Sequence, residues 1–497
     1  MAESKEEHDN HSINPADNEP LIGDDDNLRY KVKQPSWKGF IPMRYIVTFM
    51  AFAGFFNVYA MRVNLSVALV AMVNSSSNAP PKNYSNACPL PNNQTESDKE
   101  GPFQWNPTIQ GQILASFFYG YILTQIPGGI IAGKYGAKWP FGIGVLCTTI
   151  LTVMTPYVAH LSPFALMVLR FLEGLGEGVT FPACHALFSR WAPPLERSKL
   201  MAFAYAGSYL GTAVFLPIAG ILCDSDFLGG WPSVFYITGA CGFIWFILWC
   251  LLVSSSPADH FMISQEEVQF ISSSLENKKE AGKIPWVSIF TSVPVWALII
   301  THFCNNWAFY TLLTDLPTYF KGVLRFDISK NGLISSLPYI SQYIVSNLSG
   351  SLADFLRSRN ILSTNTTRKL FNTLGFFLQG VFMIGAGLAG CNVVLAVTCL
   401  VCAVGSFGIT IGGFNVNHLD IAPRYAGVLM GITNTAGTIP GFLGPAVVSL
   451  FLSASDDKVQ WLKIFIISAA IDVVGLLTFL IFGAGKQQEW AKDKEAY

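Results

Sequence analysis

The sequence predicts an all-α membrane protein of twelve transmembrane helices in two pseudo-symmetric six-helix bundles. Three observations carry that prediction: an apolar composition, a series of apolar stretches of membrane-crossing length, and an echo of the first half in the second. Hydrophobic residues make up 51% of the 497-residue chain against 13% charged ones, with a mean hydropathy of +0.41. That is more apolar surface than one soluble core of this length hides. Apolar stretches of roughly 20 residues, the length a hydrocarbon crossing demands, recur between short polar loops. They begin near Tyr45, Thr108, Gly136, Ser162, Ser198 and Ser233, then near Trp286, Asn331, Leu370, Val393, Gly427 and Trp461.

A polar stretch at 256–285, containing QEEVQF and LENKKEAGK, separates the bundles at 41–255 and 286–484, with tails at 1–40 and 485–497. The first tail is acidic and polar, carries no signal-peptide pattern, and is expected to be disordered. With the N-terminus in the cytosol, roughly 22 Lys and Arg fall on cytosolic segments against roughly 6 on the other side, which predicts that both termini are cytosolic. The loop 74–106 then faces away from the cytosol. Its clustered sequons at Asn74, Asn83 and Asn93 make chemical sense there, and glycosylation is expected. The ten cysteines lie mostly inside spans, with Cys88 in that loop, and imply no disulfide framework.

The net charge of −1 comes with no basic patch, so nothing points to nucleic acid. No His or Cys pair has metal-ligand spacing, and no nucleophile cluster suggests an enzyme. No cofactor is expected. The internal echo points elsewhere: GGIIAGKYGAK at 128–138 answers SGSLADFLRSR at 349–359, and WAPPLERSKL at 191–200 answers DIAPRYAGVL at 420–429. A duplicated chain with a site between its halves is the architecture of an alternating-access carrier. Lys138, Asp354 and Arg357 in these loops are candidate gating residues. Gly133 stands where the second half has Asp354, so gating is expected to be asymmetric.

Arg62 is the clearest anomaly, a permanent cation inside the first span. Its guanidinium either grips a substrate carboxylate with two parallel hydrogen bonds or bridges to an acid on another helix. Tyr59 sits one turn away on the same face. In the fourth span Arg170, Glu173, Glu177 and His185 share one helical face. An i,i+3 pair with Arg170 is a bland role for Glu173, which leaves Glu177 as the extra acid. A carboxyl group in a low-dielectric cavity is suited to taking up a proton on an acidic side and releasing it on a neutral one. Tyr119, Asn306 and Tyr310 are candidate partners for a hydroxylated, acidic ligand, with helix packing an equal alternative. His418 and Asp420 are read as structural, and Asp315 receives no role.

Longer strings carry a family resemblance. The GSLADFLRSR loop resembles the signature loop of the major facilitator superfamily. RVNLSVALVAMV, SFFYGYILTQIPGG, LEGLGEGVTFPACHALFSRWAPPLERSKL, FYTLLTDLPTYF and NHLDIAPRYAG resemble its anion-cation symporter family, solute carrier family 17. The likeness spans nearly the whole chain except the tails and the sequon loop. It implies anion binding at Arg62 and proton coupling at Glu177 and Glu173. The vesicular glutamate transporters of that family have Gln, Arg and His where this chain has Glu173, Asn305 and Ala115. The resemblance therefore implies the sialin-like branch: proton-coupled export of sialic acid and glucuronate from the lysosome, with glutamate or aspartate loading of vesicles as the alternative. The tail segment DNEPLI, with Asp17, Leu21 and Ile22, resembles an acidic dileucine signal read by adaptor proteins.

Overall fold

The computed structural model describes residues 41–73, 101–275, 283–324, 328–452 and 458–492. The sorting motif at Asp17, Leu21 and Ile22, and the sequons at Asn74, Asn83 and Asn93, lie outside the described residues. The first half contains α1 (Met43–Met72), α2 (Pro107–Tyr135), α3 (Lys138–Leu161), α4 (Pro163–Glu177), α5 (Thr180–Trp191), α6 (Arg197–Asp224) and α7 (Pro232–Leu252). Two short helices follow, α8 (Gln265–Ser274) and α9 (Trp286–Thr291). The second half contains α10 (Val293–Gly322), α11 (Ile328–Ser358), α12 (Thr364–Leu388), α13 (Val393–Phe407), α14 (Phe414–Ile421), α15 (Ala426–Thr438), α16 (Pro440–Leu452) and α17 (Lys458–Phe482).

Local chemistry explains where these helices start. Asn106, Ser162, Ser363 and Asn392 each accept a hydrogen bond from a backbone N–H three residues on, and proline occupies the first turn of α2, α4, α7 and α10. Among the described residues, eight helical stretches are long and apolar enough to cross a membrane. The remaining crossings hold the polar side chains or the breaks: α4 with α5, α10, α11, and α15 with α16. The tenth span breaks at 408–413, where Gly413 leaves helical geometry, whereas its counterpart in the first half keeps helical backbone angles through 178–179 between α4 and α5.

The seventh span differs from expectation at its start. Trp286 opens the short α9, Ser292 is extended, and the crossing begins at Val293, where Pro294 suits only a first turn. The 256–285 stretch is likewise more than a polar connector. Within its described part Ser264 caps α8, Ile271 is buried, and Glu267 accepts from the Met43 N–H at 2.7 Å and from Arg44 at 3.0 Å. One cysteine corrects the sequence reading as well: Cys391, in the turn after α12, is disulfide-bonded, while eight other cysteines are free.

The halves meet along α6 with α11 and along α2 with α15, where small residues allow the backbones close together. A Cβ on Gly129 would strike the Gly427 carbonyl, and one on Gly350 would meet Ala202 and the Ser198 carbonyl.

Candidate substrate and proton site

Arg62 lies in the middle of α1 with its residue 8% exposed, too deep for bulk water to satisfy its charge. Its Nε and Nη2 both donate to the same Glu177 oxygen, at 3.1 and 3.0 Å, across 115 residues of sequence. Three rings surround the guanidinium, with centroids 4.6 Å away at Tyr59, 4.8 Å at Tyr121 and 5.0 Å at Phe117. Aromatic faces stabilise a cation without competing for its hydrogen bonds. Of the two roles left open for Arg62, this state displays the bridge to another helix. Glu177 is fully buried, and its second oxygen, Oε1, has no hydrogen-bond partner.

One turn earlier, Arg170 pairs with Glu173, the i,i+3 arrangement the spacing suggested, and Thr152 donates to the other Glu173 oxygen at 3.3 Å. Two buried pairs therefore sit side by side, each neutral as a unit. The helix that carries both acids is held against α2 by bare backbone: a Cβ on Gly174 would overlap the Phe117 carbonyl, and one on Gly178 the Tyr121 carbonyl.

A cavity of about 50 Å³ lies between the halves, lined by Tyr59, Tyr121, Asn305, Asn306, Tyr310 and Asn434 among others. It has room for only a few water molecules and is far smaller than the roughly 300 Å³ of a typical ligand pocket. A sugar-sized ligand enters only if the halves part. Arg62 does not line the cavity; it stands behind Tyr59 and Tyr121, whose rings contact it and which do line the cavity. Asn306 donates to the Gly437 carbonyl at 2.8 Å, and Asn434 donates across the interface to Tyr121 at 3.1 Å and to Gln125 at 3.0 Å.

Tyr119 is a correction. It is 54% exposed and packs beside Phe442 outside the cavity, whereas Tyr121, two residues and about 200 degrees further round the helix, faces in. His185 stands apart from Glu177, two turns further on in α5. It contacts the Asn415 carbonyl of the other half at 3.1 Å and the Tyr205 hydroxyl at 2.7 Å. His302 and His418, which the sequence reading did not place at the site, continue this chain: both contact the Thr433 hydroxyl, at 3.1 and 2.8 Å.

One end of the interface is latched by polar contacts between the halves. Asp354 accepts from the Lys199 N–H at 2.7 Å, in the first turn of α6, and from Arg357 at 3.3 Å. Arg357 donates to the Pro194 carbonyl at 3.0 Å, and Arg197 to the Leu419 carbonyl at 3.1 Å. Arg368 joins Asp420 at 2.6 Å to Ser198 at 2.8 Å. Asp420 thus has the structural role read for it. Lys138 takes no part in this latch; its ammonium donates to the Cys250 carbonyl within its own half at 2.8 Å. The Gly133 carbonyl accepts from Arg190, also within one half. Beside the cavity, the contacts between halves include the ring pair Phe118–Tyr310.

A family model described as Major Facilitator Superfamily matches residues 45–445. Sialin of Homo sapiens is 49% identical over 456 residues, 90% of each chain. Vesicular glutamate transporter 3 of Danio rerio is 43% identical over 457 residues, covering 91% of this chain and 75% of that one. The solved structure of the proton:xylose symporter XylE bound to 6-bromo-6-deoxy-D-glucose superposes with a TM-score of 0.67 at 16% identity, over 90% of this chain and 97% of that one. That likeness is one of fold.

Proposed function

The chain belongs to the Major Facilitator Superfamily and, within it, to the anion-cation symporters of solute carrier family 17, and from that premise we propose that it exports sialic acid and related acidic sugars such as glucuronate from the lysosome by proton-coupled symport. The observation that carries the reading is the Arg62–Glu177 pair beside a cavity between the halves. One guanidinium cannot serve two carboxylates equally well. While Glu177 is ionised it occupies Arg62. A proton from an acidic lumen neutralises Glu177, frees the guanidinium, and lets the substrate carboxylate take its place. Loss of that proton on the neutral side returns Glu177 to Arg62 and expels the anion.

Proton and anion are thereby coupled through competition for a single cation. One proton with one monovalent anion moves no net charge, so the step follows the pH difference and hardly responds to voltage. Tyr59, Asn306 and Tyr310 supply hydrogen-bonding groups for a polyhydroxylated ligand, and Tyr121 and Asn434 join them. Arg170 and Glu173 hold α4 as a neutral neighbour. His185 lies in the contact between the halves, where Asp354 and Arg357 close the cytosolic end. The latched end carries the basic loops, which agrees with cytosolic termini. The disulfide at Cys391 lies beyond the far end of α12, where an oxidising lumen is expected. The tail motif is assigned to adaptor proteins that deliver the chain to lysosomes.

Proteoliposomes test this directly. Sialic acid flux is expected to follow an imposed pH gradient at clamped voltage. Flux of glutamate or aspartate driven by voltage with no pH gradient overturns it in favour of vesicular loading, the activity named in the glutamate-transporter relatives.

A further inference from the structure

Asp472 lies in the middle of α17, is 1% exposed, and neither of its carboxylate oxygens has a hydrogen-bond partner. It is remote in sequence from both ion pairs of the central site and belongs to the other half. Its surroundings follow from helix register. Gly387 faces Leu462, Gly380 faces Ala469 and Phe376 faces Gly475, so α12 and α17 run antiparallel and Gln379 comes level with Asp472. Gln379 is itself buried, with an unpartnered side-chain oxygen. One turn before Asp472 the buried Ser468 hydroxyl is also unpartnered. On the third side α10 packs close, since Thr301 donates to the Gly475 carbonyl at 3.4 Å and a Cβ on Gly475 would press on Cys304.

The ionisable groups on these helices do not supply a counter-charge. On α10 the facing group is the Cys304 thiol, while His302 turns to Thr433 on α15. On α12 the ionisable residues are Arg368, which is held by Asp420, and Lys369, both near the latched end. On α17 the other ionisable residues are Lys458 and Lys463 in its first turns, both exposed. Neither the carboxylate nor the Gln379 oxygen accepts a hydrogen bond, and an unpaired carboxylate at this depth is costly. A proton on Asp472 removes that charge and makes the carboxyl a donor, with the Gln379 oxygen or the Ser468 hydroxyl able to accept it.

We infer that Asp472, with Gln379 and Ser468 around it, is a second proton-binding site, in the C-terminal half and separate from Glu177, occupied as a neutral acid in the closed state. The proton is a structural ligand that keeps α17 seated on α10 and α12. Its loss in alkaline solution loosens that seam one helix behind the cavity.

Infrared difference spectroscopy of the purified full chain in nanodiscs reads this site without any transport. A carboxylic-acid carbonyl band is expected at acidic pH, lost on alkaline titration, absent in Asp472→Asn, and kept at a shifted frequency in Asp472→Glu. Gln379→Leu, which leaves the carboxyl in place, is expected to move the midpoint by at least one pH unit. A spectrum unchanged by both Asp472→Asn and Gln379→Leu overturns the inference. So does a midpoint that shifts when sodium replaces choline at constant ionic strength, since the group is then a cation ligand. The band is independent of substrate, so absence of sialic acid flux counts against the proposed function alone.

Discussion

The two halves share a fold and divide the chemistry unequally. At the level of the cavity the first half holds charge: Arg62 with Glu177, and Arg170 with Glu173, all at most 8% exposed. The second half lines the same cavity with Asn305, Asn306, Asn415 and Asn434, with His302 beside them. The pseudo-symmetry is tight enough for His185 to contact Asn415, 230 residues later and at the matching place on the repeat. Duplication supplied the frame, and the side chains then specialised. Around the cavity, the ion pairs belong to one half and the amide side chains to the other, the division on which the proposed coupling rests. A wholly charged cavity would hold any anion too tightly to release it, while a wholly neutral one would have no link to acidity.

If the division is right, the largest effect belongs to Glu177→Gln. Removing the titratable member of the pair is expected to cut pH-driven sialic acid flux roughly 100-fold, the equivalent of ~3 kcal/mol for a charge-assisted contact, while leaving counterflow exchange measurable. Equal loss of both would assign Glu177 to folding instead of coupling. Next comes Arg62→Lys, which keeps the charge and loses the planar fork; KM for the anion is expected to rise about 10-fold with proton dependence retained. An unchanged KM would separate Arg62 from the substrate.

On the neutral side of the comparison, Asn306→Ala is expected to raise KM about 5-fold for sialic acid, one hydrogen bond's worth, and much less for a carboxylate ligand without hydroxyls. A uniform loss for both ligands would mean that the amide only packs α10 against Gly437. Smallest of all is Tyr119→Phe, whose flux is expected to stay within about 2-fold of the parent because the ring lies outside the cavity; a large loss would contradict the inward-facing role of Tyr121.

Much of this was legible from residue order because it is local or repeated. Arg170 and Glu173 pair at i,i+3, a contact that helix geometry alone dictates. The asymmetry of Gly133 and Asp354 showed in the aligned loops, and Asp354 does bind both an arginine and a helix N-terminus. Twelve crossings are expected from apolar stretches of crossing length, and eight described helical stretches meet that measure, the others holding polar side chains or breaks. The Arg62–Glu177 bridge was open only as an alternative, since periodicity within one helix says nothing about which neighbour it will face. Tyr119 is named without the phase of α2, whose apolar residues cover the whole circumference, and Tyr121 is the tyrosine that faces the cavity. Asn434 stayed hidden in the small-residue run GITNTAGT, and His302 in an otherwise apolar stretch, because their partners come from helices far away in sequence. The Cys391 disulfide was invisible for the same reason.

The glycine pair Gly129 and Gly427 brings two main chains into direct contact across the interface. Where one half leans on the other with bare main chain, no knobs sit in holes, and rolling the surfaces requires no side chain to climb out of a socket. In the proposed alternating-access cycle the joint would act as a plain bearing, with the Asp354 and Arg368 contacts as its catch. Friction there is set by the absence of a methyl group, so Gly129→Ala would be expected to jam a correctly folded carrier, visible as intact ligand binding with turnover stalled.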